Sequence, residues 1–249
     1  MNYIFTIAGL GSRLAKAGIK VAKPLIKVNG KELFLWAMSS FQYSNNDRIY
    51  IISLKSHNVK NKLEEKIKLI YPQCSIYWKE LKEITSGQLS TTMKAIDFFN
   101  IKGPMIVHNC DSYFNGKKLC SNNTEYSKNN FGIIPCFEAN GDHWSFVKVK
   151  DENIAIEVKE KIRISNNCSI GTYFFSSSKK LKELANEYFK EINSVDTEMY
   201  IAPLYNYAIK KGESVKICDA PNAKVFGTAD ELSKAFEIDI SEIIKNNSY

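Results

Sequence analysis

The chain has 249 residues, 44% hydrophobic and 24% charged, proportions that exclude wholesale disorder and fibrous architectures. Its formal charge of +7 is carried almost wholly by lysine, arginine occurring only at Arg13, Arg48 and Arg163. The lysines at 60, 62, 66 and 68 lie among Glu64 and Glu65, the pattern of a solvated helix face rather than a nucleic-acid stripe. The six cysteines (74, 110, 120, 136, 168 and 218) form no C-x-x-C pair, and most sit in apolar runs as small hydrophobes. No apolar run approaches the roughly 20 residues of a membrane span. No secretory leader precedes the first apolar run, so the expected setting is a reduced cytoplasm, without nucleic-acid or membrane partners.

In chain order, Tyr3 to Ala8 is a short apolar run ending at glycine and predicts a buried strand. Residues 9–30 form a long glycine-containing and basic loop, a length that is usually functional in compact domains. Glu32 to Tyr43 predicts a helix, and Arg48 to Ser53 a second buried strand. Leu63, Ile67 and Ile70 recur at helical spacing ahead of Pro72. Cys74 to Trp78 predicts a strand, Leu89 to Phe99 a helix, and Met105 to His108 a strand running into Asn109-Cys110-Asp111. This alternation implies a mainly parallel, doubly wound α/β sheet. After about residue 130 the pattern changes to strands separated by short turns: Phe131 to Phe137, Ser145 to Lys150, Ile154 to Lys159 and Ser169 to Phe175. These suit antiparallel additions at the sheet edge. Helices over Lys179 to Ile192 and Glu198 to Lys210, short strands at Val215 to Cys218 and Lys224 to Phe226, and one closing helix from Ala229 complete the reading. No internal repeat or low-complexity linker interrupts it, so one domain over 1–249 is expected.

A glycine loop after a first strand lets backbone N–H groups approach phosphate oxygens. The P-loop spacing G-x-x-x-x-G-K-[ST] is absent. The dinucleotide fingerprint fails too, because no acidic residue ends the second strand, where Ser53-Leu54-Lys55 stands instead. What remains is Gly9-Leu10-Gly11-Ser12-Arg13, then Lys23-Pro24-Leu25.

With Ala8-Gly9-Leu10-Gly11-Ser12-Arg13, Lys23-Pro24, Gly87-Gln88, Asn109-Cys110-Asp111, Glu160-Lys161, Gly171-Thr172-Tyr173 and Phe226-Gly227-Thr228 in this order, the chain resembles the sugar-phosphate nucleotidyltransferase family. That family shares its Rossmann-like fold with cytidylyltransferases. The stretch Asn-Cys-Asp-Ser-Tyr-Phe at 109–114 and His143-Trp144-Ser145-Phe146 resemble the subgroup of bacterial capsule-biosynthesis loci. The resemblance implies a nucleotide-binding half over 1–130 and an acceptor-binding half over 131–249.

The implied reaction is an in-line displacement at the α-phosphorus of a nucleoside triphosphate, with pyrophosphate leaving. A phosphate monoester acceptor is largely dianionic at neutral pH, its second pKa being about 6. No general base is needed, and catalysis comes from positioning and charge neutralisation. By resemblance, Arg13 and the backbone from Ala8 through Gly9, Leu10, Gly11 and Ser12 hold the β- and γ-phosphates, and Lys23 sits on the α-phosphate. The plain alternative leaves Lys23 and Lys27 as surface lysines. Asp111, at the carboxyl end of a buried strand, suits Mg2+; the alternative is a helix N-cap. Gln88, with the backbone at Gly87, reads the base, or else forms an ordinary turn and cap; Asn109 lies on the same nucleotide side. Glu160 and Lys161 resemble the family's acceptor-binding pair. Lys159, Lys161 and Arg163 alternate and form a phosphate clamp if the strand continues, with a solvated edge as the alternative. His143 and Trp144 wall the acceptor pocket, or Trp144 is core.

One departure is plain. The family's second metal carboxylate stands just before the late Gly-Thr, and here Val225 occupies that place. Asp219, which ends a strand, is the expected substitute, with Asp196 and Glu198 as further candidates and the absence of any second ligand as the alternative. Ile7 also replaces the family's usual small residue two positions before Gly9, which alters how a base packs. The expected function is cytidylyl transfer from CTP to a phosphorylated acceptor (phosphoglutamine or a sugar 1-phosphate) for a surface polysaccharide, with thymidylyl or uridylyl transfer as the alternative. Two other classes compete. A degenerate regulatory homologue is favoured by Val225 and opposed by Arg13, Lys23 and Asp111. A glycosyltransferase is opposed by the lack of an Asp-x-Asp at Asp111-Ser112-Tyr113.

Overall fold

In a computed structural model, residues 1–120, 129–192 and 198–248 are described. One ten-stranded mixed sheet runs through them in the order β11-β9-β10-β13-β8-β12-β6-β1-β4-β5. The strands are β1 (Asn2–Ile7), β4 (Arg48–Leu54), β5 (Ser75–Leu81), β6 (Met105–His108), β8 (Gly132–Glu138), β9 (Ser145–Lys150), β10 (Ile154–Glu160), β11 (Asn167–Ser169), β12 (Thr172–Phe175) and β13 (Val215–Asp219). Two small pairs lie outside it: β2 (Lys27–Val28) with β3 (Lys31–Glu32), and β7 (Ser112–Tyr113) with β14 (Lys224–Val225).

In the parallel block β5-β4-β1-β6, the inner strands β4, β1 and β6 are near-continuous apolar runs, as strands covered on both faces require, while the edge strand β5 carries Lys79 and Glu80 and is only partly buried. One face packs on the helices Leu33–Met38 and Val59–Ile70, with Phe5, Phe34, Ile51 and Leu63 in the core. The other packs on Gln88–Phe99, Ser178–Glu191 and Ile201–Lys210, with Leu89, Leu181, Leu204 and Tyr205. The chain goes from β1 outward to β4 and β5, then returns to place β6 on the other side of β1. This reversal is a topological switch point, and the crevice beyond the carboxyl ends of β1 and β6 is where such sheets bind ligands.

The sequence expectation of a mixed α/β sheet matches this architecture, with corrections: parallel pairing is limited to β5-β4-β1-β6 and β8-β13, and the other neighbouring strands pair antiparallel. The second-half strands are not confined to an edge: β12 sits inside the sheet, antiparallel to both β6 and β8, and β8 pairs parallel with β13. The predicted strand Ser169 to Phe175 is two strands, broken at Gly171 with φ +79°. Residues 9–30 contain a short helix, Ser12–Lys16, and a tight turn at Lys23–Leu25. The closing helix is two, Ala229–Phe236 and Ile240–Asn246. Glu237 takes a left-handed conformation (φ 56°) that ends the first, and the Asp239 side chain accepts from Ser241 N–H to start the second.

Candidate active site

A cleft of about 510 Å³ opens at the switch point, within the usual range for ligand sites. Its lining includes Ala8, Gly9, Leu10, Gly11, Ser12 and Arg13 from the loop after β1, and Asn109 and Asp111 from the turn after β6. These two segments meet because β1 and β6 are parallel neighbours, with Phe5 opposite His108.

Lys23 is delivered by the turn Lys23–Leu25, anchored by buried Pro24. Gly11 allows the close approach: a Cβ there would lie 3.0 Å from Lys23 Cβ. Lys23 Nζ donates to Asp111 Oδ2 at 2.5 Å, with both side chains largely shielded. Burial alone would raise the Asp111 pKa; the Lys23 ion pair, with Arg13 nearby, holds it below the usual carboxylate range. Lys27 lies outside the cleft and faces Glu32 at 3.9 Å. The N-cap reading of Asp111 is corrected: Ser112–Tyr113 is a strand paired with Lys224–Val225, and no helix starts there.

The turn carrying Asp111 is locked from below. His108 Nε2 donates to the Ser112 carbonyl at 3.2 Å, so its Nδ1 accepts from Thr172 Oγ1 at 2.7 Å. Burial pushes the His108 pKa down to about 4, which keeps the ring neutral. Ser112 Oγ lies 2.9 Å from Asn109 Oδ1 and 2.7 Å from the Ile170 carbonyl, so Asn109 is held by its neighbours while lining the cleft. A Cβ at Gly171 would collide with Asn109 Nδ2. Gly171→Ala therefore lowers stability by about 1–3 kcal/mol through left-handed strain and this collision. A denaturant midpoint equal to wild type would refute that account.

At the Gln88 end of the cleft, Gln88 Nε2 donates to Thr6 Oγ1 at 3.3 Å, a contact not legible in the sequence. At Gly87 any Cβ would lie 2.5 Å from the Met199 carbonyl oxygen. Met199 N–H donates to Ser86 O and its carbonyl accepts from Leu89 N–H, which sets Glu198 and Tyr200 into the cleft wall. The expected helix from Glu198 accordingly starts only at Ile201.

On the far side, Glu160 and Trp144 line the cleft with His143, Ser145 and Tyr173. Burial raises the Glu160 pKa, against a hydrogen bond from Ser145 Oγ. Trp144 is a half-buried wall rather than core, its Nε1 bound to the Asn140 carbonyl and its ring edge-on to Phe137. The expected lysine–arginine clamp does not form. The strand ends at Glu160, and Lys161 turns left-handed (φ 56°), so the alternation is lost. Lys161 reaches only the rim, donating to Tyr200 OH at 2.6 Å. Arg163 is turned away, bonded to the carbonyls of Ala139 and Gly141, to Asp142 at 3.1 Å, and stacked over Phe146.

Asp219 is also corrected as a metal ligand. It ends β13, exposed and outside the cleft, with β8 and β12 between its strand and β6. Asp196 lies outside the described residues, and Glu198 is bonded to Tyr200 OH. Glu231, which the sequence reading passed over, is in the cleft. Its only signal was the T-x-x-E capping box at Thr228, which marks a helix start rather than a site.

Enzymes built on open α/β sheets bind nucleotides in this crevice. The chain belongs to the nucleotidyl transferase family, whose sequence model matches residues 4–237, and is a nucleotidyltransferase. Members of the family generally use divalent metal ions. Among solved structures, it is similar to a nucleoside-diphosphate-sugar pyrophosphorylase from Vibrio cholerae RC9, at 26% identity and TM-score 0.81 over 95% of this chain and 100% of that one. An inositol-1-phosphate CTP transferase from T. maritima is 19% identical with TM-score 0.70, over 98% and 96% of the two chains. A putative glucose-1-phosphate thymidylyltransferase from Bacillus anthracis is 19% identical with TM-score 0.74, over 95% and 94%. These last two share the fold. No curated protein matches by sequence. No helix among the described residues is long and apolar enough to cross a membrane.

Proposed function

We propose that this enzyme transfers a cytidylyl group from CTP to a small phosphorylated acceptor, phosphoglutamine or a sugar 1-phosphate, for surface-polysaccharide synthesis in the cytoplasm. An acceptor phosphate oxygen bonds to the α-phosphorus, the bond from that phosphorus to the α–β bridging oxygen breaks, and pyrophosphate leaves. The observation that carries this is the Lys23–Asp111 pair facing the Gly9–Arg13 loop. It sets a cation for the α-phosphate beside a carboxylate for a metal ion, next to a loop suited to the β- and γ-phosphates.

In this reading Arg13 and the loop backbone neutralise the leaving pyrophosphate, and Lys23 leaves Asp111 for the α-phosphate as the nucleotide enters. Gln88 and Gly87 face the base, while Glu160 and Trp144 orient the acceptor. Asp111 holds Mg2+, which when bound supplies charge stabilisation for the triphosphate. The donor set fits such an ion. A carboxylate oxygen stands beside a gap that a Cβ at Gly227 would fill, and Lys23 Nζ already occupies that oxygen as a cation. The cytidylyl preference is supported by the resemblance of the loop to cytidylyltransferases.

Pyrophosphate release is expected only when nucleoside triphosphate, divalent metal and phosphorylated acceptor are present together. No release across a broad acceptor panel would overturn the assignment. For the base, CTP is expected to raise the unfolding temperature more than UTP, dTTP, ATP or GTP, since a ligand at 100 times its Kd stabilises by about 2.7 kcal/mol. A larger shift with another nucleotide would reassign it.

A further inference from the structure

We infer that Glu231 supplies the second carboxylate for the divalent ion, from the start of a late helix rather than from the position Val225 occupies. This rests on the metal-dependent reading above and extends it to a residue of a different element.

The geometry converges on Gly227. A Cβ there would lie 3.3 Å from Asp111 Oδ2 and 3.2 Å from Glu231 Oε2. The missing side chain therefore leaves a gap between two carboxylates, and both residues line the cleft. The Asp111 oxygen facing that gap is the one already bound to a cation, the Lys23 ammonium at 2.5 Å. Val225 is nearby but apolar; its strand pairing with Ser112 and the bond from Phe226 N–H to Asp111 O (2.9 Å) draw this late segment against Asp111. The same pairing brings the next turn, and with it Glu231, to the metal side of the cleft.

Glu231 is held firmly. Its Oε2 accepts from the N–H groups of Gly227 (3.0 Å) and Thr228 (2.9 Å), and its Oε1 accepts from His143 Nε2 (2.9 Å). A carboxylate has about four acceptor sites, two on each oxygen; the two N–H groups occupy Oε2 and His143 takes one site of Oε1, so the remaining site, on Oε1, is the one open to a metal ion or a metal-bound water. Among the described residues no group of three or more His, Cys, Asp or Glu side chains converges as a metal site. Two carboxylates suffice for Mg2+, which takes one or two and completes its shell with substrate phosphates and water.

The role separates cleanly from helix capping. Glutamine at this position preserves the capping box, because its side-chain oxygen accepts the same N–H groups, but it removes the charge. Mn2+ binding, followed by the electron paramagnetic resonance of free Mn2+ with and without CTP, is the test. Glu231→Gln is expected to weaken Mn2+ binding about tenfold or more, as Asp111→Asn does, with an unchanged thermal unfolding midpoint. Wild-type Mn2+ affinity in Glu231→Gln beside a weakened Asp111→Asn would overturn the role of Glu231 alone. Wild-type affinity in both variants would overturn the metal assignment of Asp111 as well. If Glu231→Gln and Glu231→Ala lose midpoint and Mn2+ binding equally, Glu231 is only a cap, and the inference fails.

Discussion

Lys23→Ala lowers the rate constant for pyrophosphate release by about two to three orders of magnitude, the scale seen when one preorganised donor is removed from a developing oxyanion. The loss falls mainly on kcat. In the proposed reading, an ammonium on the α-phosphate counts most when charge is rearranged there, while Arg13 and the loop backbone would still bind the rest of the triphosphate. Steady-state kinetics, with circular dichroism to show an intact fold, reads this directly. The turn at 23–25 holds the side chain with little freedom, since Pro24 is buried and Gly11 is packed against Lys23 Cβ. Lys23→Arg therefore recovers only part of the rate, because the larger planar head cannot take the same place. Equal kcat in Lys23→Ala and wild type would remove Lys23 from the chemistry.

Asp111→Asn keeps the shape of the turn and removes its charge, and lowers turnover by about a thousandfold, roughly 4 kcal/mol of barrier. Raising the divalent concentration tenfold leaves the defect in place if the lost group is a ligand that positions the ion. The scaffold beneath is untouched by the change: His108 still bonds Ser112 and Thr172, and Ser112 still bonds Asn109. Near-normal turnover in Asp111→Asn would show that the carboxylate only neutralises Lys23. The pH dependence has a definite sign. The folded carboxyl is held below its ordinary range, so the Lys23 pair's contribution to stability is full above the ordinary carboxylate pKa and is lost as the pH falls through the folded value.

Much of the fold was legible because it rests on local pattern. Met105–His108, Ser145–Lys150 and Val59–Ile70 are apolar or periodic segments whose pattern marks the element type before their packing partners are known. That the Gly9–Arg13 loop, Lys23 and Asp111 come together in one cleft was legible for a related reason: the loop and Asp111 lie in short motifs that follow β1 and β6, and Lys23 stands beside Pro24. The Glu160 side of the cleft was not. Alternating cations at 159, 161 and 163 mark one face only while a strand continues, and Lys161 breaks it with a single left-handed residue.

By itself the sequence determined the class of sheet, the glycine loop and the residues that end β1 and β6, because chain order and apolar period dictate these before any tertiary contact forms. Tertiary structure alone decided which distant carboxylate stands beside Asp111. Asp219 ends a strand, as a ligand should, yet its strand lies across the sheet from β6. Glu231 carries only the signature of a helix cap, yet the pairing of Val225 with Ser112 folds it back to the cleft. Strand order and the pairing of remote segments set such distances, and neither is written in the spacing of residues along the chain.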